Sequence, residues 1–279
     1  MLKEDALYNV RTGMMKKIDN RLFIATICSQ HEMIIDEYGI GVELDQFCQA
    51  ERMDAPLNRE ACREIERLLK RTDRCTLHAP FSEIFPAAID PRARSLAMER
   101  LQQAAQYAVR YDAEKMIVHS GYVPRIFYKE WHEERSVEFW EEFMAGRPGG
   151  LEIVIENVME DEPYMMVRIM ERLKASGIRL CLDTGHAICS GKLPAEEWLE
   201  AMAPYLGHLH IHNNDGTHDY HRPAYEGKID MEAFLCKAVS LCPEDTTFTI
   251  ESLDGMSTMK WLREKGFIGQ AVKDINGRG

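Results

Sequence analysis

LEIVIENVMEDEPYMMVRIMERLKASGIRLCLD, residues 151–183, reads as one complete β–α–β unit. The run at 151–157 is apolar up to Glu156-Asn157, the stretch 162–175 has a helical period, Ser176-Gly177 interrupts it, and 179–183 is apolar up to Asp183. A strand inside a parallel sheet is covered on both faces and should be apolar throughout. The acidic residues at the two strand ends are therefore the informative ones. Side chains alternate along a strand, so Val154 and Glu156 share one face and Ile153 and Ile155 the other. Cys181 and Asp183 oppose Leu180 and Leu182 in the same way. The aliphatic faces meet the helices, Cys181 becomes an inward core residue, and Met165, Met166 and Met170 pack the helix.

The same unit repeats in both directions. Strands are expected at 22–27, 40–44, 75–79, 115–119, 151–157, 179–183, 207–212 and 247–251. Helices are expected at 59–71, 92–111, 128–145, 162–175, 195–202, 231–240 and 256–265, with a short one near 31–38. Strict alternation means a parallel sheet with right-handed crossovers. An open doubly wound sheet would give a similar string, and the polar residues decide between the two. Seven strands end in an ionisable side chain: Glu43, His78, His119, Glu156, Asp183, His212 and Glu251. Active sites of (β/α)₈ barrels sit at the C-terminal ends of the strands. The expectation is one α/β domain over 1–279, a (β/α)₈ barrel, with a frayed glycine-rich end at 276–279.

Composition narrows the partners. Of 279 residues, 45% are hydrophobic and 29% charged, as in a soluble protein with a sizeable core. No apolar run approaches the ~18–20 residues that span a bilayer, and the first twenty residues lack a signal-peptide core. A cytoplasmic protein without membrane contact is expected. The eight cysteines form no CxxC pair and read as reduced thiols, mostly buried. A net charge of −12 disfavours nucleic acid, although bound divalent cations would cancel part of it locally. A homo-oligomer is left open.

Glu156, Asp183 and Glu251 crowded at one rim would repel, and one would have to protonate unless a cation joined them. Mixed carboxylate and imidazole donors suit Zn²⁺ or Mn²⁺, and Mg²⁺ less well. Glu156, Asp183, His212 and Glu251 are the first candidate ligands. His78, His119, His186, Asp219 and His221 are site residues that would extend the set if more than one ion binds. Glu43 suits a rim salt bridge equally well. His208 and His210 alternate inward below His212 and read as satisfied core residues, while His31 and His132 read as surface. Arg222 and Lys228 flank the D-x-H loop, where solvated charge is the simpler role, and Asp254-Gly255 is a weak phosphate-binding signal.

The segments TLHAPF (76–81), MIVHSG (116–121), IVIENV (153–158), RLCLDTGHA (179–187), HIHNNDGTHDYHRP (210–223) and TIES (249–252) resemble the xylose isomerase-like TIM barrel superfamily. That superfamily includes endonuclease IV and the sugar or sugar-phosphate isomerases and epimerases. The endonuclease branch implies three metal ions. The first would be held by His78, His119 and a bridging Glu156, the second would add Asp183, His212 and Glu251, and the third would use His186, Asp219 and His221. The isomerase branch implies one ion on Glu156, Asp183, His212 and Glu251, with Glu156 and Glu251 as base and acid. His186, Arg222, His78 and His119 would then contact the substrate. Glu156-Asn157 and EGKID at 226–230 look like this second branch.

The departures fall on the DNA-gripping parts. Phe81 and Ile84 stand where the endonuclease pattern has Tyr and Asn, its DTCH is DTGH at 183–186, and Thr217 replaces a lysine. The expectation is therefore a metal-dependent isomerase or epimerase of a small sugar or sugar phosphate. A zinc phosphodiesterase, a lyase or dehydratase on a cyclic polyol, and a non-enzymatic sugar-binding barrel are the alternatives.

Overall fold

The computed structural model describes residues 17–175 and 177–269. Eight strands close into a barrel in sequence order: β1 (Leu22–Ala25), β2 (Gly41–Leu44), β3 (Cys75–His78), β4 (Lys115–His119), β5 (Glu152–Glu156), β6 (Ile178–Asp183), β7 (Leu206–Ile211) and β8 (Thr247–Ile250). Every neighbouring pair is parallel, including β8 with β1. The expected (β/α)₈ barrel is the observed fold. The expected fraying at 276–279 lies outside the described residues.

Nine α-helices surround the barrel among the described residues: α1 (His31–Tyr38), α2 (Asn58–Leu68), α3 (Pro91–Arg110), α4 (Lys129–Gly146), α5 (Tyr164–Arg172), α6 (Thr184–Cys189), α7 (Ala195–Met202), α8 (Met231–Leu241) and α9 (Gly255–Glu264). Their starts follow from local chemistry. Asp90 accepts from the Arg92 amide at 2.7 Å with Pro91 in the first turn, and Asp230 and Asp254 cap α8 and α9 in the same manner. None of the described helices is long and apolar enough to cross a membrane.

The alternation in β5 and β6 places side chains as expected. Ile153, Ile155, Leu180 and Leu182 join the main core beneath the helices. Val154 and Cys181 form a separate small cluster inside the barrel with Ile117. Below it, at the N-terminal ends of the strands, the interior is closed by ions. Lys115 donates to the Gly207 carbonyl at 2.5 Å, and Arg179 clamps both oxygens of Glu152 at 2.9 and 3.0 Å while reaching Asp245 at 3.0 Å.

Several expectations need correction. β1 stops at Ala25 because the Ile27 amide donates to Asp45 Oδ2 at 2.9 Å and so leaves the ladder. α6 was not expected. It follows β6 directly, and Asp183 caps it by accepting from the His186 amide at 2.7 Å. Its six residues are too few to show a period in sequence. His132 is fully buried rather than at the surface, with its ring 5.1 Å from Tyr122 and 5.7 Å from Phe127. Burial alone pulls its pKa down to about 4. All eight cysteines are free, but only Cys28, Cys75 and Cys181 are fully buried.

Candidate active site

Strand register brings the polar ends together. His119 is level with Glu156 across β4 and β5. Between β6 and β7 the register shifts by one residue at Leu180/Cys181, and the shift sets Asp183 level with His210. Without it Asp183 would face an outward leucine. His210 in turn is level with Thr249, one step short of Ile250, where β8 ends and Glu251 follows.

The expected residues converge. Glu156 Oε2 lies 3.3 Å from His78 Nε2 and 3.7 Å from His119 Nε2, and Glu156 Oε1 lies 3.1 Å from His186 Nδ1. Asp183 Oδ2 is 2.9 Å from His212 Nε2, and Glu251 Oε2 is 3.9 Å from the same nitrogen. Asp219 Oδ2 meets His221 Nε2 at 2.9 Å and His186 Nε2 at 3.3 Å. Arg222 does not join them. Its guanidinium pairs with Asp215 at 3.4 Å and covers the Tyr220 ring, outside the cavity.

Alternation along β7 hides the most central imidazole. His210 is not a satisfied core residue. Its Nδ1 lies 3.3 Å from Glu251 Oε2, 3.5 Å from Glu156 Oε2 and 3.7 Å from Asp183 Oδ2. Neither ring nitrogen has a well-aligned hydrogen bond, although the residue is fully buried. His208, one step lower, behaves as expected, with both nitrogens on Thr247 and Thr249.

Supporting contacts fix these ends. Asn157 accepts from the Asp183 amide at 2.8 Å and donates back to the Asp183 carbonyl at 3.1 Å, tying β5 to β6. Thr184 Oγ1 lies 2.7 Å from the His212 carbonyl. Gly185 is the one residue that α6 can present here, because a Cβ would come within 1.9 Å of His212 Cε1. His221 holds a positive φ of 47°, a strained conformation for a side-chain-bearing residue. It is pinned by donating from Nδ1 to the Glu251 carbonyl at 2.9 Å and by stacking 4.1 Å from His212.

The carboxylates divide electrostatically. Burial would raise Glu156, yet His210 and His119 together with contacts from His186 hold it well below the usual carboxylate range. Asp183 is likewise held down against burial, chiefly by His186 and His212. Glu251 goes the other way, pushed up to about 8 by burial and by the charges of Asp183 and Glu156 against the pull of His210. Burial lowers His119 to about 3, whereas the Asp219 contact and Glu251 lift His221 to about 9 against burial.

This donor set fits a divalent cation. Against burial, Cys181, Glu251, Glu43 and Glu156 hold His210 well above the usual imidazole value, and a divalent cation would take the place of the proton it carries among the carboxylates. Three overlapping groups, His78–His119–Glu156, Glu156–Asp183–His186 and His212–Asp219–His221, each bring their ligand atoms within 4.8 Å of one another. Above them a cavity of about 970 Å³ opens, with Glu156, Glu251, His78, His119, His186 and His221 in its wall. Phe81 stacks on His119 with centroids 4.5 Å apart, so an apolar face stands where the endonuclease pattern has a hydroxyl.

Residues 38–240 match the sequence profile of the xylose isomerase-like TIM barrels. The chain belongs to that family. Among solved structures, this xylose isomerase-like barrel superposes on a D-tagatose 3-epimerase-like protein with a TM-score of 0.71 and 21% identity, over 92% of this chain and 99% of the other. It superposes on a Thermus thermophilus protein soaked with ZnCl₂ with a TM-score of 0.70 and 22% identity, over 91% and 100% of the two chains. At such identities the likeness is one of fold. In sequence it is 29% identical over 190 residues to an uncharacterised protein of Methanocaldococcus jannaschii, a match that spans 63% of this chain and 64% of that relative. A probable endonuclease 4 of Mycobacterium leprae is 23% identical over 201 residues, 68% of this chain and 77% of the relative.

Proposed function

We propose that this barrel is a divalent-metal-dependent isomerase or epimerase acting on a sugar or sugar phosphate. One observation carries the reading. Glu156 and Glu251 approach the same buried imidazole nitrogen at 3.5 and 3.3 Å, yet their surroundings drive their protonation apart. In the metal-free site Glu156 is held well below the usual carboxylate range and Glu251 is lifted to about 8. Two carboxyl groups split in this way form a base and an acid in one small volume. Glu156 takes the proton from the carbon next to a carbonyl, and Glu251 returns one to the carbon skeleton. In the reverse direction the roles exchange.

Glu156, Asp183, Glu251 and His210 would hold the ion, with His212 on the Asp183 side, and Zn²⁺ or Mn²⁺ suits that mixture of donors best. A bound ion would supply Lewis acidity that makes the carbon-bound proton easier to remove. His78, His119 and His186 line the cavity and orient hydroxyl groups. Phe81 gives the cavity an apolar face beside His119.

The test is solvent exchange. Purified protein with Mn²⁺ in D₂O, offered a panel of ketoses, aldoses and their phosphates, is expected to place deuterium beside the carbonyl of at least one. No incorporation into any member of a broad panel defeats the reading.

A zinc phosphodiesterase is the second reading, favoured by the His212–Asp219–His221 group. Metal content per chain separates the two. Three ions falling to two in Asp219→Ala, with cleavage of an abasic duplex, supports the phosphodiesterase. One ion unaffected by that change supports the isomerase.

A further inference from the structure

We propose that Glu43, buried under the carboxylate cluster at the end of β2, is a positioning residue that fixes the ring and tautomer of His210 so that Nδ1 faces the cation. The proposal rests on the reading of His210 as a ligand given above. Glu43 is not the rim residue its place in sequence allows. It has no exposed surface, and its neighbours are threonines and imidazoles from β3, β7 and β8.

The direction of the hydrogen bonds around it can be deduced. Glu43 Oε2 accepts from Thr76 Oγ1 at 3.0 Å and from Thr249 Oγ1 at 2.7 Å. Thr249 has one hydroxyl proton and gives it to Glu43, so it must accept from His208 Nε2, 2.9 Å away. Thr247 Oγ1 lies 2.6 Å from His208 Nδ1 and 3.4 Å from the Gly207 carbonyl. The protons of His208 Nε2 and Thr249 Oγ1 run toward Glu43. The carboxylate therefore receives and does not donate.

Its second oxygen completes the argument. Glu43 Oε1 lies 3.0 Å from His210 Nε2. Both atoms are shielded from solvent and neither has a well-aligned hydrogen bond, so each has the other as its facing polar partner. An acceptor-only oxygen facing an imidazole nitrogen requires the proton to sit on that nitrogen. With Nε2 protonated, Nδ1 is the nitrogen left to offer its lone pair to a cation, and it is the atom that meets Glu251, Glu156 and Asp183 at 3.3, 3.5 and 3.7 Å. Metal-ligating histidines commonly give their other ring proton to a carboxylate, which sets the tautomer and makes the ligand more basic. Glu43 has the place, burial and polarity for that task.

The experiment measures Zn²⁺ affinity of the purified apo-protein by competition with a chromophoric chelator, and records the His210 tautomer by ¹⁵N NMR. Glu43→Gln keeps the shape and removes the charge. It is expected to weaken Zn²⁺ binding roughly 10–100-fold, the range typical for loss of such a partner. With Zn²⁺ bound, the wild type should show the ring proton on Nε2, and the variant a mixed population. Should Glu43→Gln not fold, Thr249→Val, which removes one donor to Glu43, is expected to weaken binding in the same direction by a smaller factor. If the wild type binds Zn²⁺ and His210→Ala loses it, but Glu43→Gln and Thr249→Val stay within about twofold of the wild type, Glu43 has no positioning role. If His210→Ala binds Zn²⁺ as the wild type does, the ligand reading itself fails, and this proposal with it.

Discussion

The two ends of the barrel handle buried charge in opposite ways. At the N-terminal end, Lys115 and Arg179 meet Glu152 and Asp245, so each anion has a cation within 2.9–3.4 Å. That end is electrically complete, a plug of the protein's own making. At the C-terminal end, Glu156, Asp183 and Glu251 are surrounded by imidazoles, and no lysine or arginine among the described residues ion-pairs with them. Burial opposes protonation of an imidazole, yet their neighbours lift His78, His186, His210 and His221 above the usual imidazole value, so protons alone balance the mouth. One end is neutralised by fixed cations, and the other by protons that a divalent cation would displace.

Three experiments put this contrast at risk. The largest effect is expected at the mouth, in metal-free protein. Burial and neighbouring carboxylates lift Glu251 to about 8, so at pH 7 the folded state keeps it protonated while the unfolded chain ionises it near pH ~4.3. A raised acid contributes its stability fully below the unfolded pKa and loses it as pH rises toward the folded one. At pH 7 that cost is on the order of 4 kcal/mol as an upper bound. Glu251→Gln should therefore stabilise the metal-free fold against urea at pH 7, with a gain that grows from pH 5 to pH 8. A destabilised variant, or a gain independent of pH, removes the idea of a frustrated mouth.

At the other end the sign reverses. Glu152→Ala leaves Lys115 without a carboxylate and Arg179 with Asp245 alone, and should destabilise the fold by about 3 kcal/mol, the low end for a broken buried pair because Glu152 is partly exposed. A loss below ~0.5 kcal/mol would mean the plug is ornamental. The smallest of the three comes from metal itself. Zn²⁺ at a hundred times its Kd should stabilise the wild type by about 2.7 kcal/mol. The same addition should leave Asp183→Ala unchanged, and equal melting curves with Zn²⁺ and with chelator would count against a metal centre.

Much of the fold was legible because a barrel strand makes two demands at once. Ile153 and Ile155 must be aliphatic for the helices, and Glu156 can be acidic only where the strand runs out. The same rule located Asp183, Glu251, His78 and His119. Other residues escaped it for physical reasons. His210 looked like interior filler because its neighbours along β7 are apolar. The slip between β6 and β7 that sets it beside Asp183 leaves no trace in either strand's pattern. Asp183 was legible as a strand end but not as the cap of α6, since one side chain serves both. His132 was hidden by Glu130 and Glu134 on α4, which are exposed while the ring between them turns inward. Arg222 illustrates the converse. Its closeness in sequence to His221 suggested the site, but a bridge between Asn213 and Arg222 carries the side chain off toward Asp215.

The contact between α6 and the end of β7 has an evolutionary corollary. Position 185 and position 212 compete for one volume, since a Cβ on Gly185 would overlap the His212 ring at 1.9 Å. A side chain at 185, such as the cysteine of the DTCH form, therefore requires the His212 ring to swing to another rotamer or the backbone to move. Position 185 thus sets which way the imidazole at 212 points, and a lineage that loses the glycine keeps the histidine only in a re-aimed form.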